Sequence, residues 1–166
     1  MSSESLPEQK VILASNSSIR KKILEDSGIS FDVVPSEVVE EELKQSLSSD
    51  NHKDFCLALA KAKALDVSNK IKNAYVIGSD QICCYGEEIF SKPLTKENCF
   101  KTLSKLSGNT HHQNCGISIC KDGKEIWSHY AQAALTMKSL SDSEIKDYID
   151  KDEPFMACGA YRFESL

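Results

Sequence analysis

The chain has very few arginines and no long apolar run. Both features bear on which classes of partner and of membrane association the sequence allows. Of its 20 basic residues only Arg20 and Arg162 are arginine, and 25 acidic residues give a net charge of −5. Nucleic-acid and membrane-surface binders need clustered positive charge, so this balance argues against both partners. No apolar run could span a bilayer, and the N-terminal stretch MSSESLPEQK is unlike a signal or transit peptide. We therefore expect a cytoplasmic protein that acts on a small molecule.

The chain also lacks the cysteine and histidine spacings of a metal site. Its seven cysteines include no C-x-x-C pair and are odd in number, which favours reduced thiols over a disulfide framework. Cys83 and Cys84 are adjacent and would face opposite sides of a strand, as would His111 and His112. We therefore predict mostly buried thiols and assign no metal or general-base role to any histidine.

The first half of the chain alternates apolar segments with helical patterns. KVILAS is continuous in apolar residues and typical of a buried strand, and the helix after it ends at Gly28. SFDVVPS predicts a second strand, followed by an acidic run and a polar loop. The segment from Asp54 to about Ser68 predicts a helix capped by Asp54, with Lys63 at the border of its core face. Such alternation favours an α/β protein.

The second half is richer in hairpins. It contains an apolar strand that ends at Gly78-Ser79-Asp80 and then two short strands around the turn Tyr85-Gly86. A helix that begins at Thr95, two further strands and a final helix follow, and Ser141 and Glu144 form a capping box in the final helix. At 166 residues the chain can bury a real core. We predict an α/β (α+β) fold with a mixed sheet, in two lobes around a central cleft that is the default ligand site.

The clearest functional pattern is the junction between the first strand and the first helix, in VILASNSSIRKKIL. The helix begins at Ser17 or Ser18, so free backbone N–H groups and hydroxyls gather at the positive end of the helix dipole. Arg20 in the first turn offers a forked cation for phosphate oxygens. These features indicate an anion site that includes Ser15 and Ser17. The alternative is an ordinary helix cap with a solvated arginine.

Two further residues are candidates for chemistry. Asp80 directly follows the strand AYVIG, and a carboxylate at the carboxyl end of a strand lies at the usual edge of a ligand crevice. It could bind a metal ion or take a proton from water, or it could simply be a turn aspartate. Lys92, in the segment SKP, is a candidate phosphate contact whose alternative is a surface lysine.

Several motifs, in order along nearly the whole chain, resemble the Maf family of nucleotide pyrophosphatases. LASNSSIRKKIL is similar to the family signature L-A-S-x-S-P-R-R-x-x-L-L, and GSDQ, SKPLTKENCFKTLSKLSGNTH, LSDSEIKDYI and DEPFMACGAYRFES follow in the family's order. The resemblance implies an inosine-triphosphatase-like (Maf/Ham) fold. It also implies a single Maf-like domain over residues 1–166 that stops before the family's C-terminal strand and helix.

The resemblance also implies an activity. Members of this family hydrolyse a nucleoside triphosphate to the monophosphate and pyrophosphate with Mg²⁺ or Mn²⁺ as cofactor, in a housecleaning role, and are usually homodimers. GSDQ and AYRFES are similar to the branch that prefers 7-methyl-GTP. The alternatives are a dTTP/UTP pyrophosphatase, a non-catalytic nucleotide-binding regulator of cell division and, more weakly, a cysteine-based phosphatase.

Motif positions in the resembling family imply a role for each candidate. Asp80 would accept a proton from water and, with Glu40, bind the metal ion. The phosphate contacts would be Ser15, Ser17, Arg20, Lys63 and Lys92, and base preference would fall to Ile19, Gln81 and Glu164.

Overall fold

A computed structural model describes residues 9–40, 42–43 and 51–163 of the chain. The chain divides into two compact units, of which the first comprises Met1–Asp80 and Gly116–Tyr130 and the second comprises Gln81–Cys115 and Ala131–Leu166. Within the described ranges, no helix has both the length and the apolar character needed to cross a membrane.

One six-stranded sheet contains both parallel and antiparallel pairs, which confirms the predicted mixed α/β class. Its order is β2-β1-β3-β5-β6, with β4 paired to β3. Strand β1 is parallel to β2 and to β3, whereas β3 and β4 are antiparallel. Within the described ranges the strands are β1 (Lys10–Leu13), β2 (Asp32–Val33), β3 (Ala74–Tyr85), β4 (Glu88–Phe90), β5 (Thr110–Lys121) and β6 (Lys124–Thr136). The helices whose two ends both lie in those ranges are α1 (Ser18–Asp26), α2 (His52–Lys70), α3 (Lys96–Leu106) and α4 (Asp142–Asp152).

Helix α1 has the boundaries that its polar residues predict. Ser17 is the N-cap, and the backbone turns at Gly28, where φ is +74°. None of the helix's residues is buried, and Ile19 and Ile23 are 44% and 63% exposed. Helix α1 therefore adds little to the hydrophobic core. Its amino end is the part that bears on the candidate site.

Helix α2 is longer than predicted and begins at a different cap. Asn51 rather than Asp54 is the N-cap, since the Asn51 side chain accepts a hydrogen bond from the Lys53 N–H. Asp54 lies in the first turn instead, where its negative charge complements the helix dipole. The inner face of α2 covers the sheet of the first unit, in a core formed by Ile12, Ala14, Ala64, Val67, Ala74, Val76 and Cys120.

Strand β3 continues well past the point at which the sequence predicts its end. The prediction that Asp80 ends the strand is wrong, because β3 runs from Ala74 to Tyr85 and Asp80 lies within it. Gly78 does not mark a turn. A methyl group there would lie 2.7 Å from the backbone nitrogen of Ala64, so the glycine instead allows α2 to pack directly on the strand.

The second unit contains the hairpin and the last two helices. The β3–β4 hairpin, the α3 cap at Thr95 and the Ser141–Glu144 capping box of α4 are all as predicted. Helix α3 packs against α4. Their shared core consists of Cys83, Phe90, Cys99, Leu103, Leu106, Ile145, Ile149, Ala160 and Tyr161.

Candidate active site

The first cluster of candidate residues surrounds the amino end of α1. Ser15 Oγ accepts hydrogen bonds from the Ser17 N–H, at 3.1 Å, and from Arg20 Nη1, at 3.3 Å. Ser17 Oγ accepts the Arg20 N–H at 3.4 Å, as an N-cap does. The three predicted phosphate contacts therefore lie together, with the guanidinium folded over the positive end of the helix. Their contact with phosphate stays a prediction.

The second cluster is an ion triad formed by Lys63, Asp80 and Glu40. Lys63 Nζ lies 2.6 Å from Asp80 Oδ1 and 2.8 Å from Glu40 Oε1. The side chains of Lys63 and Asp80 are 8% and 7% exposed, whereas that of Glu40 is 36% exposed. The lysine predicted to border the core face of α2 is thus buried and joins two carboxylates from separate parts of the chain.

Close packing of α2 on β3 positions the Lys63–Asp80 pair. The absent side chain at Gly78 lets the helix backbone approach the strand, and Cys56 Sγ donates a hydrogen bond to the Asp80 carbonyl oxygen at 3.2 Å. Lys63 and Asp80 point toward each other across this contact. Their ion pair therefore depends on helix-to-strand packing, which local sequence patterns do not predict.

A different contact holds the segment that carries Glu40. The Asp66 carboxylate of α2 accepts hydrogen bonds from the Glu37 N–H at 2.8 Å and from Ser36 Oγ at 3.2 Å. Partial burial alone would raise the pKa of Asp66, but the hydrogen bond from Glu37 and the ion pair with Lys70 lower it. Asp66 was not predicted as a site residue, since an aspartate within a helix is most often an exposed surface residue.

Strand pairing brings the two clusters to the same edge of the sheet. Leu13 pairs with Ile77 in the parallel β1–β3 register, and the Ala14 N–H donates to the Ile77 carbonyl oxygen at 2.9 Å. Strand β1 then ends, whereas β3 continues to Asp80 and beyond. Neighbouring strands lie ~4.8 Å apart, so the loop containing Ser15 leaves the sheet beside the part of β3 that carries Asp80.

Glu40 and Asp80 fit a divalent cation that also binds substrate oxygens. Mg²⁺ is commonly held by one or two carboxylates together with phosphates, rather than by a cage of protein ligands alone. The described residues contain no group of three or more histidine, cysteine, aspartate or glutamate side chains arranged to hold a metal ion. The triad has one positive and two negative formal charges, and a divalent cation would make this surface attractive to a triphosphate.

The other predicted site residues have different surroundings from those of the triad. Gln81 follows Asp80 on β3 and therefore points to the opposite face, where its Nε2 donates to Gln113 Oε1 at 3.0 Å. Lys92 is exposed between β4 and α3, and Ile19 is exposed on α1. Glu164 lies outside the described residues.

Comparison with known proteins decides the family. A family model described as Maf-like protein matches residues 10–166, which includes every element described above. The chain belongs to the Maf-like family. It is 39% identical over 164 residues to a nucleoside triphosphate pyrophosphatase of Legionella pneumophila (strain Corby), covering 99% of this chain and 82% of that protein.

Other relatives of this Maf-like chain include a 7-methyl-GTP pyrophosphatase of Brucella abortus. The two are 38% identical over 159 residues, which is 93% of this chain and 80% of the relative. Among solved structures, a HAM1 protein from Coxiella burnetii matches with a TM-score of 0.48 and 15% identity, over 75% of this chain and 70% of that one.

The Maf-like chain also contains a polar network that the sequence analysis did not identify. Gln113 Nε2 donates to Tyr161 Oη at 3.0 Å, and that hydroxyl lies 2.7 Å from His111 Nε2. These residues come from β5 and from the AYRFES motif, far apart in sequence. The sequence predicted that His111 and His112 would face opposite sides of a strand without indicating which is inside; His111 is the buried one. Its partner on another segment could not be predicted.

Proposed function

We propose that the chain is a nucleoside triphosphate pyrophosphatase that releases a nucleoside monophosphate and pyrophosphate. Membership of the Maf-like family and the names of the curated relatives support this activity. The observation that carries it is the Lys63–Asp80–Glu40 triad, in which Lys63 and Asp80 are buried, beside the loop that leads from β1 through Ser15 to α1. A cation, two carboxylates and an anion-binding helix end are the groups that this hydrolysis requires.

Each cluster has a separate task in the proposed reaction. Ser15, Ser17 and Arg20 bind phosphate oxygens through hydroxyls, backbone N–H groups and the planar guanidinium. Asp80 accepts a proton from the water that attacks the α-phosphorus, so the bond between the α-phosphorus and the bridging oxygen breaks. Lys63 stabilises the negative charge that develops on the pyrophosphate leaving group, and Lys92 adds a further phosphate contact.

The proposed reaction also uses a divalent metal ion as cofactor. Glu40 and Asp80 would hold Mg²⁺ or Mn²⁺, whose chemistry is to neutralise and orient the polyphosphate. Lys63 already neutralises part of the charge of the two carboxylates, which allows them to lie close together before substrate arrives.

For substrate preference we favour a modified guanine nucleotide such as 7-methyl-GTP over dTTP and UTP. The Brucella relative carries that name, and the GSDQ and AYRFES motifs resemble the same branch. Gln81, Glu164 and Ile19 are the proposed base contacts. We further propose that the enzyme works in the cytoplasm as a homodimer, as the family resemblance implies.

Replacing Asp80 with asparagine tests the proposed chemistry. Asp80→Asn keeps the size of the side chain but removes its ability to accept a proton, so kcat should fall at least about 100-fold. Pyrophosphate release should be measured with 7-methyl-GTP, dTTP and UTP side by side. Asp54→Asn, on an exposed turn of α2, is the matched control and should retain kcat.

Two outcomes would contradict the proposal. Full kcat in Asp80→Asn would remove the assigned role of that carboxylate. Tight nucleotide binding by the folded wild type, without release of pyrophosphate from any nucleotide, would instead favour a non-catalytic regulator.

A further inference from the structure

A continuous chain of hydrogen bonds joins the exposed Gln81 to the core of the second unit. Gln81 Nε2 donates to Gln113 Oε1 at 3.0 Å, Gln113 Nε2 donates to Tyr161 Oη at 3.0 Å, and Tyr161 Oη lies 2.7 Å from His111 Nε2. One end is exposed, whereas His111 and Tyr161 are 1% and 9% exposed. A surface amide is thus connected to a rigid interior.

The Tyr161 hydroxyl joins the two ends of this chain. Tyr161 Oη accepts the Gln113 amide N–H and also hydrogen-bonds to His111 Nε2, where the tautomer of the histidine decides which atom donates. The rings of His111 and Tyr161 also pack edge to face, with centroids 5.4 Å apart and an interplanar angle of 81°. The phenol is therefore held both by packing and by its hydroxyl.

The hydrogen bond to Gln113 determines which atom of the Gln81 amide faces away from the chain. A reversed Gln81 amide would bring its oxygen against the Gln113 oxygen, which is electrostatically unfavourable and leaves neither with a donor. With Nε2 directed to Gln113, the oxygen Oε1 is the end presented outward. An outward oxygen accepts N–H donors and disfavours a base that presents another acceptor.

We propose that Gln113 and Tyr161 are positioning residues that set the orientation of the Gln81 amide, so that Oε1 accepts an N–H group of the nucleotide base. The inference rests on the proposed function, since it requires a nucleotide substrate whose base reaches Gln81. In this role Gln113 and Tyr161 govern discrimination between bases and make no contact with the phosphates. His111 is the buried anchor of the chain.

Removing the Tyr161 hydroxyl tests the proposal. The measured quantity is the ratio of kcat/KM between the most and least preferred nucleotides among 7-methyl-GTP, GTP, dTTP and UTP. Tyr161→Phe should lower this ratio roughly tenfold, the effect of about one lost hydrogen bond. Gln113→Leu is a second variant with the same expected effect. The matched control is Tyr148→Phe, which removes another phenol hydroxyl of the same unit, one that accepts the Arg162 N–H, and should leave the ratio unchanged.

Coupling to Gln81 separates positioning from a merely structural role. In a Gln81→Ala background, adding Tyr161→Phe should change the ratio no further, because the residue being positioned is gone. Circular dichroism and thermal unfolding of every variant establish that it is folded. A loss of equal size on all nucleotides, an unchanged ratio in folded Tyr161→Phe or Gln113→Leu, or additive effects in the Gln81→Ala background would each overturn the inference.

The same variants distinguish this inference from the proposed activity. If the wild type turns over no nucleoside triphosphate, the proposed function fails, and the preference ratio is then taken from equilibrium dissociation constants. A roughly tenfold loss of that ratio in Tyr161→Phe would still support positioning of Gln81, whereas an unchanged ratio would overturn it.

Discussion

At the scale of single residues, the ion pairs of Lys63 are expected to matter most for stability. A buried ammonium that joins two carboxylates is stable only while its partners remain, since each charge loses hydration on burial. Asp80 depends on it most, because that carboxylate is nearly fully buried. Glu40 can still meet water and depends on the lysine less.

Removing the charge of Lys63 should therefore destabilise the protein. We expect Lys63→Met to lower the free energy of unfolding by about 3 kcal/mol, because Asp80 is left buried without a cation. Urea denaturation followed by circular dichroism gives the value. Lys61→Met, exposed on the same helix, is the control. In an Asp80→Asn background the Lys63→Met substitution should cost clearly less, and an equal cost in both backgrounds would contradict the explanation.

His111 predicts a dependence of stability on pH. Burial lowers the pKa of His111, and the nearby His112 lowers it further, so the unfolded chain binds a proton more readily than the folded one. The contribution of neutral His111 is complete above the unfolded pKa of about 6.5 and is lost as pH falls through the folded pKa.

The expected measurement is a decline in the free energy of unfolding on acidification from about pH 6.5. His111→Gln retains a group that can hydrogen-bond to the Tyr161 hydroxyl but does not titrate, so its decline should be shallower. His129→Gln alters an exposed histidine and should behave as wild type. Equal slopes in wild type and His111→Gln would show that this histidine is not responsible.

At the scale of elements, the contact between α2 and β3 positions the triad. Alanine at Gly78 would force the helix away from the strand, because its methyl group would overlap the backbone of Ala60 and Ala64. We expect Gly78→Ala to reduce the free energy of unfolding by roughly 1–3 kcal/mol. It should also reduce kcat/KM, as the 2.6 Å Lys63–Asp80 contact lengthens.

Thermal unfolding and pyrophosphate release measure these two effects. Glu87→Ala, in the exposed turn after the same strand, is the control and should alter neither. A Gly78→Ala protein with unchanged stability would mean that α2 can shift without cost.

The elements that could be predicted from sequence are those with local signals. The caps at Ser17, Thr95 and Ser141 each hydrogen-bond within their own first turn, so a few adjacent residues were sufficient. The end of β3 was mispredicted because Gly78-Ser79-Asp80 resembles a turn, whereas Gly78 lies within the strand where α2 packs closely on it. The family motifs identified Lys63, Asp80 and Glu40 as site residues. That both carboxylates contact the Lys63 ammonium depends on tertiary packing, which no local sequence pattern predicts.

At the scale of the whole molecule, none of the seven cysteines, all of which lie in the described ranges, is in a disulfide bond. Burial raises the pKa of Cys83 to about 12, with the neighbouring Cys158 and Cys84 adding to the effect. Such a thiol stays protonated at neutral pH and is a poor nucleophile. The arrangement fits a protein that depends on no disulfide for its stability.

Thiol titration and alkylation test the absence of disulfides and the protonation of Cys83. Titration in denaturant should give seven thiols per chain, and a reducing agent should leave the midpoint of thermal unfolding unchanged. In the native protein at neutral pH, the half-buried Cys115 and Cys158 should be alkylated before Cys83. Early modification of Cys83 would contradict its proposed protonation state.

The division of the chain falls between two adjacent residues of one strand. Asp80 belongs to the first unit and Gln81 to the second, and alternation along β3 turns them to opposite faces. In the proposed reaction, proton transfer at Asp80 and recognition of the base at Gln81 would thus depend on different packing environments. Under that proposal, substitutions around Gln113 and Tyr161 would change the preferred nucleotide during evolution while the residues proposed for hydrolysis stay the same.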